Sequence, residues 1–144
     1  MASNIVIADA AATPVNHTFI PMGIDANQVY WWVDQSASNA LGYWKASLSI
    51  QRPAAPAAGQ NADGRNYRVK VQLWEPVLAN VTNSTVSGVL PSATLAYTMR
   101  ATCDFTLPEA GALLDRQNIS KMFPLLLQNA QVTSVVTTLA YPGL

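Results

Sequence analysis

Three stretches of the chain alternate apolar and polar side chains with a period of two. Between Trp44 and Gln51 the even positions Trp44, Ala46, Leu48 and Ile50 are apolar, while Lys45, Ser47, Ser49 and Gln51 are polar. From Asn66 to Trp74 the apolar series is Tyr67, Val69, Val71 and Leu73, against Asn66, Arg68, Lys70 and Gln72. From Thr94 to Leu107 the series Leu95, Tyr97, Met99, Ala101, Cys103, Phe105 and Leu107 opposes Thr98, Arg100, Thr102, Asp104 and Thr106. Successive side chains of a strand point to opposite faces, so these runs predict a sheet with one apolar and one polar face. Antiparallel pairing suits that pattern, because parallel sheets are covered on both faces and read as continuous apolar runs.

Upstream, Ile5 to Ala8 and Val15 to Ile20 are shorter strand candidates joined by an Ala-Thr-Pro turn. Pro14 and Pro21 bracket the second run, and proline cannot donate to a central ladder, so an edge hairpin within residues 1–22 is expected. QVYWWVD, residues 28–34, supplies a further strand whose adjacent tryptophans imply partial cover on both faces. The sheet is thus expected over 28–108, interrupted by two long loops. Residues 52–64 are rich in Pro, Ala and Gly and end in an Asp-Gly turn signal. Residues 77–92 are apolar for a loop, with Val81, Val86, Val89, Leu90 and Pro91, and read as a contact arm.

After Pro108 the period changes. Leu113, Ile119, Met122, Phe123 and Leu126 fall near a helical stripe, and Pro124 should kink or divide that helix. A second helix from about Gln131 to Thr138 presents Val132, Val135, Val136 and Leu139, although β-branched residues lower its propensity. Helices are therefore expected over 109–140. One helix pair cannot cleanly cover a sheet of five strands, roughly 24 Å across at the usual strand spacing. A dimer in which each subunit's helices help to cover the partner's sheet solves the problem; helices lying across the sheet within a monomer are the alternative.

Composition strengthens the dimer reading. The 144 residues suit one domain, and only 11% are charged, where a soluble protein carries about a quarter. A chain so poor in charge is expected to bury extra surface against partners, unless Ser, Thr, Asn and Gln dress the surface instead. Eight basic and eight acidic residues give no net charge, so any attraction for nucleic acid must come from where the cations sit. They sit well. If the alternating strands are neighbours, Lys45, Arg68, Lys70 and Arg100 converge on one face, offset mainly by Asp104. Ser47, Ser49, Gln51, Gln72 and Thr102 add hydrogen-bonding groups for phosphate, sugar or bases.

Enzyme chemistry finds little support. His17 is the sole histidine and is expected at a surface or interface. Cys103 shares a strand face with Met99 and Phe105 and is expected as an inert, buried thiol. A single cysteine excludes an internal disulfide, and neither a metal site nor a cofactor is expected. There is no phosphate-cradling glycine motif and no nucleophile–base pair. No basic leader precedes a long apolar run at the N-terminus, and no run of 18 apolar residues occurs, so neither a secretory signal nor a membrane span is expected.

The chain resembles the coat proteins of the small single-stranded RNA bacteriophages. The resemblance is carried by Ala2-Ser3-Asn4, by the basic-aromatic strand Arg65 to Val71, by the loop Thr85 to Pro91, by Phe105-Thr106-Leu107-Pro108 and by Tyr141-Pro142. It implies an α+β fold: an N-terminal hairpin, a five-stranded antiparallel sheet and two C-terminal helices, intertwined as a dimer. It also implies a T=3 icosahedral shell, assembled from dimers in a bacterial host's cytoplasm, that becomes the virion. Implied partners are further copies of the chain, the single-stranded viral RNA and one copy of a maturation protein, with no membrane. An RNA hairpin bound on the inner sheet face would serve packaging and translational repression. Ser47, Ser49, Lys70, Gln72, Thr102 and Asp104 match polar positions of that surface, whereas Gln51 replaces a basic residue and Arg100 an aromatic one. Val81, Val86, Val89, Leu90 and Pro91 match the loop around the shell's symmetry axes. A dimeric RNA-binding protein that never closes a shell is the alternative function.

Overall fold

The computed structural model describes residues 2–59, 64–79 and 92–141. The chain divides into two compact units, residues 1–54 with 67–106, and residues 55–66 with 107–144.

Among the described residues six strands form one sheet, in chain order. They are β1 (Ile5–Ala8), β2 (Asn16–Ile24), β3 (Val29–Asp34), β4 (Trp44–Gln51), β5 (Asn66–Leu78) and β6 (Leu95–Pro108). The alternation of apolar and polar residues sets the register. Ala46 faces Leu73, Leu48 faces Val71 and Ile50 faces Val69 across the β4–β5 ladder. Tyr30 and Trp32 continue that apolar face onto β3 opposite Leu48 and Ala46. A slip of one residue would turn every one of these side chains to the other face, so the register is tightly specified.

β2 departs from the sequence expectation. It does not stop at Ile20 but runs through Pro21 to Ile24. Its first half pairs with β1 as far as Phe19, and its second half pairs with β3 from Ile20 onward. The hairpin and the five-stranded sheet β2–β6 therefore share β2. Pro21 is tolerated because the register shifts there: Pro21 opposes Trp32 and Gly23 opposes Trp31, which leaves Met22 as an extra residue. Bulges of this kind accommodate proline, and Gly23 takes a positive φ of 106° that favours a residue without a Cβ.

The core is small. Phe19 and Trp32 are the buried hydrophobic residues among those described, and Trp32 also donates its indole N–H to the carbonyl of Ser3 at 3.2 Å. Beside them lies a polar cluster. Asp34 is buried and accepts hydrogen bonds from the amide and hydroxyl of Ser36 at 3.0 and 2.9 Å. His17, expected at a surface or interface, is half-buried in the isolated chain. Its ring stacks on Trp44 with centroids 4.4 Å apart and lies within reach of both Asp34 and Asp9. The β2–β3 pairing brings together residues 17 positions apart in the chain, which no local pattern could reveal.

The second unit carries helices α1 (Leu113–Leu127) and α2 (Ala130–Thr138). Pro124 does not divide α1; it lies inside the helix, which ends three residues later. Near a C-terminus the missing donor removes one bond, and the carbonyl of Pro124 still accepts from the amide of Gln128 at 3.1 Å. Asn129 caps α2 by accepting from the amide of Gln131 at 3.0 Å, and Leu139 closes it in a left-handed conformation. In the same unit Glu109 is held twice by Arg65, through an ion pair at 3.0 Å and through its amide to the Arg65 carbonyl at 2.9 Å.

Two apolar surfaces remain open in the isolated chain. On the sheet, Leu48, Ile50, Val71, Tyr97 and Met99 are all exposed, Tyr97 by 57%. Neither helix has a buried residue, and Leu113, Met122 and Leu126 are each more than half exposed. Large apolar patches of this kind mark interaction sites. No helix among the described residues is long and apolar enough to cross a membrane.

Candidate functional site

The polar face of the sheet is assembled by the same register that builds the apolar one. Ser47 opposes Gln72, Ser49 opposes Lys70 and Gln51 opposes Arg68. On β6 the row continues with Thr102, whose hydroxyl accepts from Gln72 Nε2 at 3.2 Å. Arg100, two residues earlier on β6, lies with its Cζ 4.4 Å from the centre of the Trp74 ring, a cation–π contact. Trp74 in turn opposes Lys45. Most of the sequence-predicted residues are thus brought onto one surface by β4, β5 and β6. Asp104 lies two residues beyond Thr102 on β6, on the same face by alternation, and is exposed.

Exposure divides these residues. Lys45, Gln51, Arg68, Lys70, Arg100, Thr102 and Asp104 are open to solvent, and Ser49 and Gln72 are partly so. Ser47 is only 3% exposed, because it lies between Trp31 on β3 and Gln72 on β5. It is placed at the centre of the surface, with its hydroxyl closed to bulk solvent. Four cations, Lys45, Arg68, Lys70 and Arg100, share this face with the carboxylate of Asp104, and a second carboxylate, Asp25, borders it beside Trp31 and Lys45. These cations are gathered on one face even though the whole chain is neutral. Val81, Val86, Val89, Leu90 and Pro91, expected to form an assembly loop, lie outside the described residues.

Two aromatic side chains of the face were missed by sequence reasoning. Trp74 follows Gln72 at the next position of the polar series, and Trp31 opposes Ser47. A tryptophan at the end of a polar row reads as the start of a core, which is why the series appeared to stop at Gln72. The signal available was parity: Trp74 shares it with Arg68, Lys70 and Gln72. Trp31 donates its indole N–H to Asp25 Oδ2 at 2.9 Å, while Asp25 Oδ1 accepts from the amides of Asn27 and Val29. The Trp31 bond, followed by the Val29 amide, holds the Asp25 carboxyl below the usual aspartate range.

The remaining reactive groups are quiet. Burial, with the nearby charge of Asp104, pushes the Cys103 thiol up, away from the nucleophilic thiolate. His17 lies between two carboxylates and a tryptophan, where it braces strands rather than facing a cleft.

Comparisons with known proteins agree in one direction. The family described as Levivirus coat protein matches residues 1–142. A search of curated proteins returned no match. Among solved structures, the virus-like particle of bacteriophage ESE058 is 43% identical with a TM-score of 0.89, and 98% of each chain is covered. The virus-like particle of bacteriophage NT-214 is 26% identical with a TM-score of 0.79, covering 97% of each. The capsid protein of bacteriophage GA is 22% identical with a TM-score of 0.65, covering 94% of this chain and 93% of that one, and shares the fold.

Proposed function

The chain belongs to the levivirus coat protein family, and from that premise we propose that its dimers close an icosahedral shell around single-stranded RNA held by the polar sheet face. The observation that carries this reading is the end-to-end likeness to a subunit of a virus-like particle, at 43% identity. As a capsid protein the chain is structural, and its work is done by surfaces rather than by a reaction.

The two open apolar surfaces give assembly its first step. Sheet residues such as Leu48, Val71 and Met99, and helix residues such as Leu113, Met122 and Leu126, each need cover. A second copy supplies it: the helices of one subunit lie over the apolar sheet face of the other. Burial of apolar area at about 25 cal/mol per Å² makes such an exchange strongly favourable. With the apolar face covered, the polar face looks toward the shell's interior. There Lys45, Arg68, Lys70 and Arg100 meet phosphates and release condensed counterions, while Ser49, Gln51, Gln72 and Thr102 bond to sugar or base edges. Residues 81–91, through Val81, Val86, Val89, Leu90 and Pro91, adjust contacts between dimers around the symmetry axes. Packaging, repression of translation through an RNA hairpin and capture of one maturation protein belong to the same proposal.

Expression of the chain alone in bacteria tests it. Closed particles by negative-stain microscopy, with ultraviolet absorbance showing enclosed RNA, are expected. Dimers that bind RNA yet never form particles would favour a non-capsid RNA-binding role instead.

A further inference from the structure

Glu75 interrupts an apolar row. Parity on β5 puts it with Tyr67, Val69, Val71 and Leu73 on the apolar face of the sheet, one residue beyond the Trp74–Lys45 pair. It is half-buried in the isolated chain, and its carboxylate has no hydrogen bond or ion pair among the described residues. A second copy that covers the apolar face deepens this burial, and a carboxylate taken out of water needs a cation beside it. The eight basic residues of the chain leave little choice. Lys45, Arg68, Lys70 and Arg100 belong to the opposite face, and Arg65 is held by Glu109. Arg52 lies past the Gln51–Arg68 pair, at least seven residues of strand from Glu75, which is roughly 24 Å. The other two, Arg116 and Lys121, are on α1, exposed and outside every ion pair among the described residues. Arg116 heads a stripe with Ile119, Phe123 and Leu127, whereas Lys121 falls beside Gln117 and Asn118. Within its own helix Arg116 gains nothing: it sits near the positive end of the helix dipole, where Asp115 is the favourable charge.

We infer that Glu75 of one subunit and Arg116 of the partner subunit form an ion pair, made twice about the dimer's two-fold axis, that fixes where each α1 lands on the other's sheet. The inference deepens the helix-exchanged dimer proposed above and rests on it. β6 is the outer strand of the described sheet. A two-fold axis beside that edge sets β6 antiparallel to its copy, so the Pro108 end of one strand meets the Leu95 end of the other. Glu75 belongs to the Leu95 end, since Ala79, four residues on, donates its amide to the Thr94 carbonyl at 2.8 Å. α1 starts five residues after Pro108, a reach of about 17 Å. Apolar contacts alone tolerate a helix that slides by a turn, but only one landing position gives the carboxylate its cation.

Charge reversal in the full chain tests the pair. Glu75→Arg alone sets two cations against each other at both places, and Arg116→Glu alone sets two carboxylates, so each is expected to yield little soluble dimer. Co-expressed, the two variants restore opposite charges at both places only in a mixed dimer. Affinity capture through a tag on one chain should then recover the other in equal amount. Milder changes serve where reversal prevents folding. Glu75→Gln and Arg116→Gln should each raise the equilibrium constant for urea unfolding of the dimer about a hundredfold, about tenfold for each of the two pairs. Together they should cost no more than one alone, where independent sites would give about ten-thousandfold. Rescue by both reversals in one chain, but not by co-expression, would place the pair within a subunit and overturn the inference. No rescue by either route, with additive Gln variants, overturns the pair while leaving the exchanged dimer intact. A wild type that is a folded monomer by light scattering overturns the dimer and this inference with it.

Discussion

His17 Nδ1 lies 2.6 Å from Asp34 Oδ2, joining β2 to β3 beside the small core. Burial pushes the Asp34 carboxyl up, but the hydrogen bond to His17, those from Ser36 and the charge of His17 together outweigh it, so the carboxyl titrates below its ordinary value of 3.8. A carboxyl whose folded pKa is depressed stabilises the protein above its unfolded pKa and loses that contribution as pH falls through the folded one. Acid unfolding should therefore set in below about pH 4. His17→Gln should cost about 1–3 kcal/mol by leaving a buried carboxylate short of a partner, and should raise the pH midpoint of acid unfolding. Circular dichroism during urea and acid titrations reads both; an unchanged acid midpoint would show that the pair does not couple to folding.

The uncovered apolar face predicts an obligate dimer. Light scattering on serial dilution should find dimer giving way directly to unfolded chain, without a folded monomer. Truncation before Leu113 removes the helical cover and should yield insoluble protein. A stable, folded monomer at micromolar concentration would contradict the exchange of helices.

Replacing Arg68 and Lys70 together by Ser should lower RNA content in particles without disturbing the dimer, because both side chains leave the face opposite Val69 and Val71. Two lost phosphate contacts should reduce the slope of log affinity against log salt by about 1.4 per subunit for single-stranded RNA. Filter binding over a salt series measures it, and an unchanged slope would move RNA contact to another surface.

At the β2 bulge, Gly23→Ala should destabilise by about 1–2 kcal/mol, because a Cβ is disfavoured at positive φ. Nothing lies within 4 Å of the added carbon, so the loss is conformational rather than steric. Gly23→Asn should be milder, since Asn tolerates positive φ better. Thermal melts of the three proteins give the order directly.

From the sequence of residues 81–91, Val86, Val89 and Leu90 changed together to Ser should leave the dimer melting temperature unaltered while reducing particle yield or changing particle size. Size-exclusion chromatography with microscopy distinguishes that outcome from an inert connection.

The alternating strands β4, β5 and β6 were legible because each residue's face follows from parity alone. β2 was not, since one extra residue at Met22 lets the strand pass a proline that pattern reading treats as a boundary. Pro124, expected to kink or divide the first helix, does not divide α1 for a related reason: a proline weakens a helix by one bond, and three residues from the end that loss is small. In the candidate site the cations and hydroxyls were legible from polarity. Trp31 and Trp74 were not, because an aromatic side chain signals burial in sequence, and which face it joins is clear only when its strand neighbours are known. The His17–Asp34 pair depended on which strands become neighbours, and that is decided by the whole sheet.

Among the described residues, Phe19 and Trp32 make a meagre hydrophobic interior. If a second copy completes it, folding is second order in protein. Doubling the concentration of nascent chains then quadruples the rate of productive encounter, whereas a dilute chain waits with its greasy surfaces open to proteases and chaperones. Subunit supply is thereby switched by the level of synthesis: few chains yield little native protein, and a late burst of translation yields building blocks abruptly, at the concentration at which a shell can also nucleate.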